Sequence, residues 1–456
     1  MAPQYPNLLV ITCHDLGDTL GCYGTPIHTP NLDAIAGQGA LLENHFAPAS
    51  ICSPARGSLW TGCYPHTHGL MGLMPRGWQV DVDRCPPLPA LLKDAGYESH
   101  LFGVQHEHWD PRRLGYDAIH DLPSEFCDDV TPAVVDWLRA RADADAPFLA
   151  AVGFFDPHRI GLASQGYRPD LLNQPPSHFW RDVYTKVDPA AVEVPPFLLD
   201  TPVQRAELAD FYAAIQFVDR QIGVITRTLD ETGLADNTLL MFVIDHGASF
   251  LHSKGTLYDG GTKVACMVRW PGVIPAGQRV AGLTSHVDIV PTLLELLDLP
   301  TPAHVEGQSL ADVLRGGDAP TRDYVFAEKN YTQYFDPQRM VRSERFKYIR
   351  RGIRSSIFDF VLTELEMSAP SFRNNKDVFG FYSCARRTEE FYDLDADPAE
   401  LHNLAEDPAY ADTLNALRAA LDRHLDATAD PFRDLRISPQ MPPDVYAEMK
   451  RASRAR

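Results

Sequence analysis

Four short apolar runs, residues 7–13, 98–103, 148–155 and 238–244, are continuous rather than alternating. A strand with one wet face alternates polar and apolar residues, so an unbroken apolar run must be covered on both faces. Stretches of helical spacing separate these runs. Residues 30–39 form one, and residues 131–141 open on Thr-Pro and place Val134, Val135 and Leu138 on one face. The longest, residues 202–234, repeats Phe211, Ile215, Val218, Ile222 and Ile225 at helical intervals. Strand–helix–strand alternation predicts an α/β fold with a large, mostly parallel sheet flanked by helices.

Polar residues able to do chemistry follow the runs directly. His14 and Asp15 end the first, His106 lies just past the second, Asp156 and His158 end the third, and Asp245 and His246 end the fourth. Ligands bind at the carboxyl ends of parallel strands in open α/β sheets, so these groups are expected to converge. Any one of them could equally be a helix cap or a satisfied loop residue. Agreement at four strand ends is what singles out a site.

After about residue 320 the texture changes to short aromatic-rich strands, as in residues 324–327, 345–350 and 390–394. A helix over 407–427 follows, with Leu414, Leu417, Leu421 and Leu425 on its buried stripe. The 456 residues are thus expected to divide into a catalytic domain, 1–320, and a smaller C-terminal α+β domain, 321–456.

Lys plus Arg number 41 against 61 Asp plus Glu, a net charge of −20. Such a surface repels phosphate backbones and acidic membranes, so neither nucleic acid nor a membrane is an expected partner. A locally basic rim remains open: residues 342–354 are rich in Arg and aromatic side chains, although a solvated strand surface reads the same way. No apolar run approaches the roughly 20 residues that span a bilayer, and no basic segment precedes the first run. The eight cysteines are irregularly spaced without a CxxC pair, which fits a reducing compartment. A cytoplasmic location is the expectation.

The most specific local signal is Cys52-Ser53-Pro54-Ala55-Arg56, followed by Thr61-Gly62. Ser53 and Pro54 have the character of an N-cap and a first helical residue, which would hold Cys52 at a helix N-terminus, where anions are stabilised. A buried cysteine before a helix is the plainer alternative. His66 and His68 read as a structural turn, with the pocket rim as the alternative, and Asp219 and Asp288 as structural groups holding helix ends or backbone amides.

C-x-P-x-R with a downstream Thr-Gly resembles the signature of the sulfatases, in the alkaline phosphatase superfamily. The likeness runs along the chain: ITCHDLG at the first strand, residues 28–46, PFLAAVGFFDPHR, FVIDHG, HSKGTLYDGG and the closing FYDLDADPAELHNLAEDP. Within that family FFDPHR, residues 194–212 and the closing segment are similar to the N-sulfoglucosamine sulfohydrolases. The resemblance implies an alkaline-phosphatase/sulfatase-like fold and a cysteine oxidised to formylglycine by a formylglycine-generating enzyme. The hydrated aldehyde at position 52 would attack sulfur, form a covalent sulfo-enzyme and then expel sulfate. The substrate would be a small anionic sulfamate or sulfate ester, of a sugar by the closer likeness, and the protein a homodimer.

Residue by residue, the resemblance implies that Asp15, Asp245 and His246 bind one divalent metal with residue 52. Arg56 would hold the nucleophile, and His106 would assist its deprotonation. His158 would protonate the leaving group, and Lys254 would clamp a sulfate oxygen. Asp156 would face the substrate amine of a sulfamate, or else cap a loop.

Two departures stand out. His14 occupies the first of a usual aspartate pair. Calcium is the family's metal, but an added imidazole softens the donor set toward manganese or another transition ion, whether His14 is a ligand or stands behind one. Val104 replaces the lysine of a G-K-x-H motif, with His108 and Arg112 near enough in sequence to substitute. These departures keep two alternatives open: a phosphonate monoester or phosphodiester hydrolase of the same superfamily, and an inactive relative that binds sulfated sugars.

Overall fold

All four apolar runs lie side by side in one sheet in the computed structural model, which describes residues 5–160, 178–318, 321–332, 335–352, 388–431 and 433. The strands are β1 (Asn7–Cys13), β2 (Ala40–Phe46), β3 (Glu98–Gly103), β4 (Ala118–His120), β5 (Phe148–Phe154), β6 (Thr238–Ile244), β7 (Cys266–Arg269) and β8 (Gln278–Ser285). Their order is β4-β3-β5-β1-β6-β7-β2-β8, and only β7 runs antiparallel to its neighbours. The four runs identified in the sequence are therefore adjacent and parallel, with their carboxyl ends together.

β1 shows why its sequence does not alternate. Leu9 and Ile11 join one apolar layer with α1 (Pro30–Gln38), α3 (Cys127–Ala140) and α4 (Pro202–Glu231). Leu8 and Val10 join the opposite layer with α2 (Cys52–Thr61) and α5 (Ile289–Leu296). Each such side chain contributes about 1.5–3 kcal/mol on burial, so a polar residue on either face would be costly.

Two helices begin earlier than local sequence predicts. α3 starts at Cys127, ahead of the Thr-Pro pair, because the Asp156 carboxylate accepts the Cys127 N–H at 2.8 Å; Pro132 then lies inside the helix. α2 starts at Cys52 itself, with the extended residue Ile51 as its cap. Ser53 does not cap it: its hydroxyl accepts the Met74 N–H at 2.9 Å.

A second, fully antiparallel sheet has the order β12-β11-β10-β9. It comprises β9 (Val325–Tyr331), β10 (Phe335–Arg342), β11 (Phe346–Arg351) and β12 (Glu389–Asp393). One face packs on α6 (Ala411–Ala427) through Leu414, Leu417, Leu421 and Leu425. The other meets Leu257 and Tyr258, which lie between β6 and β7, through Ala327, Met340, Ile349 and Tyr392. Among the described residues no helix is long and apolar enough to cross a membrane.

Candidate active site

The chain leaves the sheet at the end of β1, and His14 and Asp15 follow at once. Asp15 takes a left-handed backbone (φ 49°), a conformation that costs a non-glycine residue energy and persists where the surroundings impose it. Asp245 imposes it from the neighbouring strand end: its Oδ1 accepts the N–H of Asp15 at 3.0 Å and of His246 at 2.8 Å. Its Oδ2 is left facing His14 Nδ1 at 2.8 Å.

His14, Asp15, Asp245 and His246 are fully buried, and one ligand atom from each lies within 4.8 Å of the others. Both His14 nitrogens, Asp15 Oδ1, Asp245 Oδ2 and His246 Nε2 lack hydrogen-bond partners. His246 Nδ1 donates to Gly247 O, which turns the Nε2 lone pair toward Asp15 Oδ1 at 3.1 Å. Lone pairs converging in a water-excluded pocket require a cation between them. The residues fit a divalent metal: two carboxylates and two imidazoles, a donor set softer than the all-oxygen cage of calcium. Without metal, protons fill the role. Burial lowers both imidazoles, but the carboxylates prevail, raising His14 to about 9 and His246 to about 10.

Cys52, the first residue of α2, opens onto this pocket. Burial pushes its thiol up, yet the His106 and His246 imidazoles beside it hold it well below the usual range. Arg56, one turn on, is fully buried. Its Nε donates to Glu107 Oε1 at 2.9 Å and its Nη2 to Val104 O at 3.0 Å, leaving Nη1 without a partner. Lys254 Nζ donates to Asp15 Oδ2 at 2.6 Å and lies 3.3 Å from His158 Nε2. His158 Nδ1 donates to Arg159 O. Burial and the Lys254 charge outweigh Asp15, so His158 is lowered to about 3 and is neutral.

Asp156 is the sequence-selected group that the geometry draws away. Its carboxylate is taken up by Cys127 N–H, the Tyr184 hydroxyl and Arg181, and it is 1% exposed. Neither sequence-proposed replacement for the missing lysine adds a cation beside Val104. His108 Nδ1 accepts the Asp110 N–H, and Arg112 is an exposed side chain paired with Asp110. Of the two readings left open for residues 342–354, the pairing favours a strand surface over a basic rim: Arg342 pairs with Asp259, Arg345 with Asp393, Arg350 with Asp422 and Arg351 with Glu390, while residues 353–354 lie outside the described residues. Asp219 caps α1 through the N–H groups of Asn31 and Leu32, and Asp288 accepts from Ser285, Gln308 and Arg322.

Sequence reasoning missed Glu107. One oxygen fixes Arg56 and the other accepts the His106 N–H at 2.8 Å, so a single carboxylate positions both groups. The only sequence signal is its place directly after His106.

Cys52 at a helix start, beside four converging donor side chains and a lysine–histidine pair, is an arrangement able to act on anionic esters. The chain matches the sulfatase family over residues 6–299 and the N-sulphoglucosamine sulphohydrolase C-terminal family over residues 247–370. It belongs to the sulfatase family. It is 28% identical to human N-sulphoglucosamine sulphohydrolase over 488 residues, covering 96% of this chain and 94% of the relative. It is 26% identical to an ulvan-active sulfatase of Formosa agariphila, covering 94% and 76%. The fold matches that of a 2-O GAG sulfatase with a TM-score of 0.72 at 24% identity, covering 97% and 96% of the two chains.

Proposed function

We propose that this chain is a formylglycine- and metal-dependent sulfatase that hydrolyses a sulfamate or sulfate ester of a small sugar. The supporting observation is the set of unpartnered donors on His14, Asp15, Asp245 and His246, beside Cys52, Lys254 and His158. The similarity to N-sulphoglucosamine sulphohydrolase supports a sugar sulfamate as the first substrate to test.

Oxidised to formylglycine and hydrated, residue 52 would supply one hydroxyl to attack sulfur and another to release sulfate. A divalent cation held by Asp15, Asp245, His246 and His14 would acidify that hydroxyl and offset the sulfate charge. The chain's own residues do the rest. Arg56, immobilised by Glu107 and Val104 O, keeps Nη1 available to orient residue 52. His106 has a free Nδ1 beside that residue and takes its proton. Lys254 holds Asp15 in place and faces the sulfate oxygens. Its contact with His158 Nε2 provides a route for a proton to the leaving group.

A second reading, hydrolysis of a phosphonate monoester or phosphodiester, rests on His14 and Val104, which put an imidazole and an apolar side chain where a carboxylate and an ammonium are expected. One panel separates the two. The protein, co-expressed with a formylglycine-generating enzyme, is assayed on N-sulfoglucosamine, an O-sulfated glucosamine, an aryl sulfate, an aryl phosphonate and a phosphodiester, with Cys52→Ala as control. Sulfate release confined to the protein with an intact residue 52 is the expected result. Turnover of phosphorus esters alone would replace it with the second reading.

A further inference from the structure

We propose that the chain, before residue 52 is oxidised, binds a soft divalent cation such as zinc between Cys52, His14 and His106. The site needs only the unmodified thiol, so it does not depend on the proposed sulfatase activity.

One ligand atom from each of the three residues lies within 4.8 Å of the others. A tetrahedral zinc with Zn–S of about 2.3 Å and Zn–N of about 2.0–2.1 Å sets its ligands roughly 3.3–3.6 Å apart, so the side chains close on it by small rotations. The two imidazoles have donors to give. His14 is fully buried with neither ring nitrogen in a hydrogen bond, and His106 Nδ1 is also unpartnered. The His14 and His106 rings approach at 4.9 Å between centroids, tilted by 59° rather than stacked. His106 is the one partly exposed member of the three, so the site lies toward solvent on its side, and three protein ligands are the number a zinc site with a bound water uses.

His14 makes the difference. Its Nδ1 faces Asp245, and the ring has a second bare nitrogen, Nε2. A carboxylate at this position would add hard oxygen, whereas imidazole and thiolate together select borderline-soft ions. Binding would replace the thiol proton, which passes to solvent, by an S–metal bond. Oxidation of Cys52 removes the sulfur, so ion binding at this site and a matured residue 52 exclude each other.

The test uses full-length chain produced without a formylglycine-generating enzyme, its thiol verified by intact mass. It is titrated with Co²⁺ as the spectroscopic probe and then with Zn²⁺. The expected result is a thiolate-to-cobalt charge-transfer band saturating near about one equivalent and abolished by zinc. The band is absent from Cys52→Ala and from the oxidised protein, and His106→Gln weakens binding at least about 10-fold. Circular dichroism checks the fold of each variant; His106 is half-exposed, so its variant carries the test if Cys52→Ala does not fold. Any cation held by Asp15, Asp245 and His246 binds Cys52→Ala without the band. No band in the thiol protein, or a band unchanged in His106→Gln, overturns the site.

Discussion

Two buried clusters in this molecule have nearly the same ingredients and opposite fates. At the strand ends, His14, Asp15, Asp245 and His246 converge with five unpartnered polar atoms among them. Beneath the second sheet, His66, Glu328 and Asp430 converge just as closely. There, however, Arg339 donates two parallel bonds to Asp430, His66 Nδ1 meets Glu328, and Asn330 donates to the other Glu328 oxygen. Two carboxylates face a guanidinium and an imidazole that burial lowers but Glu328 raises toward protonation; the charge closes internally, and of the three converging residues only His66 Nε2 is left without a partner. The lesson is that burial and residue type do not mark a site. What marks one is donor capacity that the protein leaves unused.

Substitutions can break this comparison. The largest effect is expected for Asp245→Asn, which keeps an oxygen for the N–H groups of Asp15 and His246 but removes the charge. Sulfate release should fall by about 10³-fold or more, and the metal-free protein should lose the alkaline stability that Asp245 gives to His14 and His246. Arg339→Ala should act on stability rather than on sulfate release. Removing the guanidinium that donates both bonds to buried Asp430 should cost about 3–5 kcal/mol in denaturant unfolding. Glu107→Gln comes next: with Arg56 and His106 less firmly held, kcat should fall about 10–100-fold with KM little changed.

The pH dependence is subtler. Without metal, His14 and His246 titrate near 9 and 10, above the unperturbed value of about 6.5. Groups raised on folding contribute stability fully present below the unfolded value and lost as pH rises through the folded one. The chelated protein should therefore lose melting temperature between pH 7 and 10. Added divalent metal should flatten that slope, and its affinity should rise with pH as protons are released. The smallest effect is expected for Arg112→Ala: an exposed side chain paired with Asp110 should move neither kcat/KM nor the melting temperature measurably.

Much of this was legible in the sequence. Strands covered on both faces give unbroken apolar runs, so β1, β3, β5 and β6 could be located, and the polar residues at their ends with them. Cys52 was legible through its motif. What escaped depends on partners distant in the chain. Ser53 has the character of an N-cap, but Met74 takes its hydroxyl. α3 begins early because Asp156 reaches it from another strand end. Glu107 gains its role only when the fold brings Arg56 beside it. The basic texture of residues 342–354 left both a positive rim and a solvated strand surface open, and the carboxylates of Asp259, Glu390, Asp393 and Asp422 that pair with it could not be read locally. Local pattern reports burial; it does not report which charges meet.

The central claim is that the unfilled cluster beside Cys52 is a cation site used for desulfation. The direct measurement is sulfate release from N-sulfoglucosamine by the matured protein before chelation, after chelation and after divalent metal is restored. The account predicts release that is lost on chelation, returns with metal and is absent from Cys52→Ala throughout. Release that survives exhaustive chelation, or that persists in Cys52→Ala, would contradict it.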